Sequence, residues 1–187
     1  KPTIRARQVM SMFDVPVTEK LSKSWKINVP IDERDWNVGL IVGPSGSGKS
    51  VIARELFSDR VDIDLTWSAE SVIDNFPKKF DLQTITQACS AVGFNTIPSW
   101  LKPFYVLSNG EQFRVSLARR ILESEDVCVI DEFTSVVDRQ VGKIASHAVQ
   151  KFTRKSGRQF VAVACHNDIE EWLKPDWVIR PELQAFE

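Results

Sequence analysis

The run Gly43-Pro44-Ser45-Gly46-Ser47-Gly48-Lys49-Ser50 carries the residue types and spacing that hold a polyphosphate. Glycines let the backbone fold into a nest whose N–H groups converge on phosphate oxygens, and the positive end of a following helix adds to the attraction. The Lys49 ammonium would reach the β- and γ-phosphates, and the Ser50 hydroxyl would take one place on Mg²⁺. An apolar run, 38–42, precedes the loop, and a helix-like segment over 51–57 follows it, opening at Val51. Strand, glycine-rich loop and helix is the order in which such a loop works. A flexible glycine/serine turn is the plain alternative, but it requires neither the terminal Lys-Ser pair nor these flanks. The expected ligand is a nucleoside triphosphate, contacted by residues 43–51.

A second chemical element lies well downstream. Val127-Cys128-Val129-Ile130 is an apolar run ending in Asp131-Glu132. Beside a phosphate loop, a strand ending in Asp supplies a group for Mg²⁺, which is the role expected of Asp131. Glu132 stands where a carboxylate could accept the proton of an attacking water. Acidic residues at a strand end are common in themselves. Their weight comes from the loop.

These residues must be positioned by an α/β framework. Buried strands are expected over 36–42, 127–130 and 160–164, with a short strand over 61–65 and a last one over 177–179. Phe113, Leu117, Ala118, Ile121 and Leu122 form a helical stripe after Gly110. Val141, Ile144, Ala145, Ala148, Val149 and Phe152 form another, opened by an Asp138 cap and closed near Gly157. A short helix is expected over 168–173. Segments 69–76 and 82–92 read as helices, the second capped by Asp81 and stopped by Gly93; Pro77, Pro98 and Pro103 cut this region into short pieces. A compact helical insert at about residues 69–122 is expected within a single domain spanning 1–187. At the N-terminus, 4–17 and 24–29 read as β segments punctuated by Pro16 and Pro30.

Composition bounds the remainder. At 187 residues, with 43% hydrophobic and 26% charged content, the chain suits one globular domain. Its formal net charge of −1 gives no global footprint for nucleic acid or an anionic membrane. The basic clusters at Arg114, Arg119, Arg120 and at Lys151, Arg154, Lys155, Arg158 read as solvated helix faces. Cys89, Cys128 and Cys165 have neither zinc-site nor disulfide spacing; Cys128 and Cys165, in apolar runs, are expected as buried thiols. No run is long enough to span a bilayer and no leader pattern opens the chain, so a cytoplasmic location is expected.

Leu107-Ser108-Asn109-Gly110-Glu111-Gln112-Phe113-Arg114 resembles the signature motif of ATP-binding cassette (ABC) ATPases. Asp131-Glu132-Phe133-Thr134-Ser135-Val136-Val137-Asp138 resembles that family's Walker B strand and D-loop, and Ala164-Cys165-His166 its switch-histidine strand. The motifs occur in family order across residues 3–181. The resemblance implies a phosphate-loop NTPase core with a mostly parallel sheet, an N-terminal antiparallel β segment and a small helical subdomain. It implies ATP and Mg²⁺ as ligands and a head-to-tail homodimer sandwiching two nucleotides. Ser108 and Gly110, with Glu111 closing the motif, would meet the γ-phosphate held by the other copy. Asp138 would cross the dimer interface, and His166 would contact the γ-phosphate and position water. Phe13 stands near the place of the adenine-stacking aromatic, and Trp25 is a second candidate. On residue type alone, Ser108 could simply be a helix cap, His166 a core histidine, and either aromatic a packing residue.

The sequence also departs from the family. Asn109 replaces a glycine of the signature, Glu111 the commoner glutamine, and Phe133 a proline usual in transporters. The glutamine-containing loop that couples transport ATPases to a membrane partner has no counterpart between Lys49 and Ser108; Asp64 is the polar stand-in. A membrane partner is therefore not expected. The function expected is Mg²⁺-dependent ATP hydrolysis driving a dimer open/close cycle. The alternative is an ATP-gated clamp acting on nucleic acid or on a fused, acetyltransferase-like domain; a transporter subunit comes third.

Overall fold

A computed structural model describes residues 3–14, 26, 28–33 and 35–187. Its centre is a five-stranded sheet in the order β2-β3-β1-β4-β5. The strands are β1 (Val38–Val42), β2 (Val127–Ile130), β3 (Gln159–Ala164), β4 (Trp177–Arg180) and β5 (Ala185–Phe186). The first four run parallel, and β5 turns back antiparallel on β4. β1 and β2 are buried at every position, as continuous apolar runs require when helices cover both faces.

Alternate residues build two cores. On one face Leu40, Val42, Ile130 and Ala162 pack with α3 (Leu82–Ala91), α5 (Asn109–Glu123) and α6 (Arg139–Ser156). On the other, Ile41, Val129, Val163 and Ile179 meet Trp36, Trp177 and the Ala53 and Phe57 side chains of α2 (Lys49–Phe57). Gly39 is required here: a Cβ would collide with the Trp177 indole lying across β1. The remaining helices are α1 (Ile4–Met12), α4 (Ile97–Trp100) and α7 (Asp168–Leu173).

Several ends form as the sequence dictates. Asp81 accepts the Thr84 N–H at the start of α3, and Asp138 accepts the Val141 N–H at the start of α6. Gly157 closes α6 with a left-handed φ of 67°. Between Thr66 and Asn109 only helices and turns occur as named elements.

Other expectations are corrected. The segment expected as the first N-terminal β strand is α1, with Thr3 accepting the Ala6 N–H as its cap. Arg5, Ala6, Arg7, Gln8 and Met10 are strong helix formers, and no core face forces the chain into a strand. Val15 and the stretch up to Trp25 lie outside the described residues; residues 26, 28 and 29 form no strand. At 61–65 the expected strand shrinks to one bridge, Val61 to Val129, because Asp62 turns the backbone with a φ of 49°. At 69–76 only a 3-10 turn, Val72–Asn75, forms. There Asn75 bonds its own neighbourhood, accepting from Ser68 N–H and donating to the Ser71 carbonyl, which competes with a helix. Cys128 is buried, but Cys165 is exposed, since β3 has already ended at Ala164.

Candidate functional site

The parallel strands bring their C-terminal ends to one edge of the sheet, where open α/β folds leave a crevice. The register aligns Val42 with Ala164 and Ile130 with Ala162. The segments that follow are the phosphate loop after β1, Cys165-His166 after β3 and Asp131-Glu132 after β2. Both outer segments are tied to the middle strand. Gly43 N–H donates to the Ala164 carbonyl at 3.3 Å, and Phe133 N–H donates to the Val163 carbonyl at 2.8 Å.

The loop itself is held open. Gly46 and Gly48 have φ of 76° and 95°, conformations that strain any residue with a side chain, and a Cβ at Gly46 would face empty space. Gly48 offers no side chain to cap α2, so the first N–H groups of that helix are free for a ligand. Ser47 Oγ is buried without a hydrogen-bond partner among the described residues. Lys49 is 7% exposed, with its ammonium curled back onto the Pro44 carbonyl at 2.9 Å. An orphaned hydroxyl, uncapped amides and a cation form a donor set that fits a polyphosphate chelating a divalent cation, for which Ser50 and Asp131 would supply hard oxygen. Beside this loop the Glu182 carboxylate leans over Gly43, which has room for it only because it lacks a Cβ.

The Asp131–Phe133 turn is specified amide by amide. Asp131 N–H is accepted by the Asp62 carboxylate, at 3.2 Å to Oδ1 and 3.3 Å to Oδ2. Glu132 N–H is accepted by Asp131 Oδ1 at 2.9 Å. Glu132 and Thr134 sit at φ of 51° and 67°, costly for residues with a Cβ, and such outliers persist only where surrounding bonds impose them. Phe133 explains its departure from proline: its N–H is used, and its ring is buried against Phe160 at 5.4 Å and Phe113 at 5.9 Å between centroids. Burial pushes the Asp62 carboxyl above its ordinary value, with Arg120 pulling the other way. Asp62 is a residue the sequence did not single out; Asp64, named there instead, is exposed. Glu132 and His166 are both exposed at the crevice edge.

A second group gathers where α5 and α6 begin. Ser108 caps α5 within a reciprocal box: Glu111 N–H donates to Ser108 Oγ, and Ser108 N–H donates to Glu111 Oε2 at 3.0 Å. The Ser108 hydroxyl donates to the same carboxylate at 2.9 Å, and the buried Ser99 hydroxyl donates to Glu111 Oε1 at 2.7 Å. Ser99, followed by Ser108, holds the Glu111 carboxyl below its ordinary value. Glu111 is thus occupied within its own chain and orients Ser108. A Cβ added at Gly110 would lie in ordinary contact with Val141, so the start of α5 and the Asp138-capped start of α6 are neighbours. Phe13 is the C-cap of α1 and 72% exposed; Trp25 lies outside the described residues.

No family model matches the sequence. Among curated proteins, the chain is 28% identical to a probable metal transport system ATP-binding protein of Thermotoga maritima, covering 68% of this chain and 62% of that protein. It is 27% identical to ABC transporter B family member 18 of Arabidopsis thaliana, over 73% of this chain and 14% of that protein. The chain therefore spans less than two thirds of either relative. Among solved structures, the dimeric structure of a bacterial ABC transporter cassette superposes with a TM-score of 0.60 at 16% identity, covering 84% of each chain. That likeness shows the fold: a mostly parallel sheet of the phosphate-loop NTPase kind. Motif order, sheet topology and curated relatives agree: the chain has the phosphate-loop NTPase fold and is similar to nucleotide-binding domains of the ATP-binding cassette type.

Proposed function

We propose that the chain binds ATP with Mg²⁺ and hydrolyses it, in a head-to-tail pair of copies that sandwich two nucleotides. The observation that carries the reading is the side-by-side placement of the phosphate loop, His166 and Asp131-Glu132 on one sheet edge. In this reading the loop amides and Lys49 take up phosphate charge, while Ser50 and Asp131 hold Mg²⁺. The metal would neutralise charge building on the transferred phosphoryl group. Water attacks the γ-phosphorus as the bond to the ADP oxygen breaks; Glu132 accepts the water's proton and His166 steadies the γ-phosphate. Catalysis here is positioning and electrostatics, which suits side chains pinned by main-chain bonds. Ser108 and Gly110, with Asp138 beside them, would complete the site of the second copy, and Phe13 would stack on adenine.

Replacing Glu132 by Gln tests the reading directly. Loss of a general base should lower turnover by about 100-fold or more and trap an ATP-bound dimer visible by size-exclusion chromatography. Normal turnover in that variant removes Glu132 from the base role.

The names of the two curated relatives favour a second reading, in which this ATPase serves a membrane transporter. That pulls against the reading of the missing glutamine loop, from which a membrane partner is not expected. Among the described residues no helix is long and apolar enough to cross a membrane, so any membrane-spanning part would belong to another segment or chain. Co-purification with an integral membrane protein supports this second reading. Salt-sensitive binding to nucleic acid in its place supports a clamp working in the cytoplasm.

A further inference from the structure

We propose that Asp62 is the positioning residue for Asp131, serving the outer edge of the sheet as a neighbouring strand otherwise would. The proposal rests on the reading of Asp131 as a Mg²⁺ ligand. Among the described residues β2 is an edge strand, so its outward N–H and carbonyl groups have no full strand there to pair with. The described residues meet that edge at one bridge, where Asp62 N–H donates to the Val129 carbonyl at 2.9 Å. The left-handed φ of 49° at Asp62 then carries the backbone away. The next outward N–H along β2 is that of Asp131, two residues beyond Val129 on the same side of the strand. The Asp62 carboxylate reaches back and accepts it with both oxygens.

Asp62 is itself held from behind. Arg120, on the helix that begins at Ser108, places Nη1 3.4 Å from Asp62 Oδ1 and donates from Nε to the Ile63 carbonyl at 3.2 Å. A carboxylate fixed in this way sets the height of Asp131, whose own carboxylate then takes the Glu132 N–H. Without that acceptor, the turn carrying both acidic groups loses the bond that ties its first amide to the rest of the protein. Removal of a hydrogen-bond partner behind a metal-ligating carboxylate typically weakens metal use by about 10–100-fold.

The test compares Asp62→Asn, which keeps an acceptor oxygen and removes the charge, with Asp62→Ala, which removes both. In metal-free protein, amide hydrogen exchange at Asp131 followed by NMR should be about tenfold faster in Asp62→Ala and near wild type in Asp62→Asn. The Mg²⁺ concentration for half-maximal ATPase should rise about tenfold in Asp62→Ala, with Asp62→Asn recovering most of the loss. Unchanged exchange in Asp62→Ala overturns the proposal. So does Asp62→Asn matching Asp62→Ala in both readouts, or an unchanged Mg²⁺ requirement in Asp62→Ala while Asp131→Ala is inactive. Should Asp62→Ala fail to fold, Asp62→Leu, which fills the space without an acceptor, replaces it in the comparison. Failure of the underlying reading looks different: Asp131→Ala would retain Mg²⁺-dependent turnover while the exchange result at residue 131 in the Asp62 variants stood.

Discussion

Lys49 and Ser108 face opposite tests because they serve ATP at different stages of the proposed cycle. Lys49 meets phosphate in a single copy, so Lys49→Ala should weaken ATP binding by about 10–100-fold in titrations of the monomer, the loss expected for a charge-assisted bond. Ser108→Arg should leave that monomeric binding intact and abolish turnover, because a bulky cation would block the approach of the second copy. Unchanged turnover in Ser108→Arg would rule out the sandwich. Residues of this kind were legible because their chemistry is local: Gly43 to Ser50 and Leu107 to Arg114 are contiguous motifs. Asp62 was not. Its partner amide lies 69 positions away, and nothing within the stretch around Val61 distinguishes its carboxylate from that of Asp64. Glu182 was hidden for the same reason, since its place over Gly43 exists only in three dimensions.

At the scale of elements, buried strands and long amphipathic helices were readable because their periodicity is imposed by a core on one or both sides. α6 illustrates this, with its Asp138 cap, apolar stripe and Gly157 stop all present in the sequence. α1 shows the converse: none of its residues is buried, so only intrinsic propensity chooses its conformation, and scattered apolar residues there mimic a strand. Gly39 belongs to the readable class only in hindsight, as a glycine inside a strand signals close approach of another group. Gly39→Ala should drive a methyl into the Trp177 ring and destabilise the fold by about 1–3 kcal/mol. Urea unfolding followed by tryptophan fluorescence would measure it. Recovery by a second substitution, Trp177→Phe, would identify the collision as the cause.

For the whole molecule, Asp176 is a clamp between distant parts. It accepts the N–H groups of Asn37 and Val38 at 2.9 Å each and pairs with Arg154 of α6 at 2.8 Å. Burial alone would raise its carboxyl, but the Val38 and Asn37 amides and Arg154 outweigh it, leaving the group below its ordinary value. A carboxylate depressed in the folded state contributes stability above its unfolded pKa and loses it as pH falls through the folded value. Stability should therefore decline on acidification below about pH 4, and Asp176→Asn should flatten that part of the profile while lowering stability at neutral pH. Denaturant midpoints across a pH series would check both.

The sheet order also governs when, during synthesis, the protein can begin to work. β1, with the phosphate loop at its end, is made early, yet both of its neighbours, β3 and β4, come from the last third of the chain. The amide that anchors the loop waits for the carbonyl of Ala164. Pairings so distant in sequence form slowly and late. A nascent chain on the ribosome therefore carries an intact nucleotide motif that has no sheet to sit on, and it should not retain ATP until β3 and β4 have left the exit tunnel.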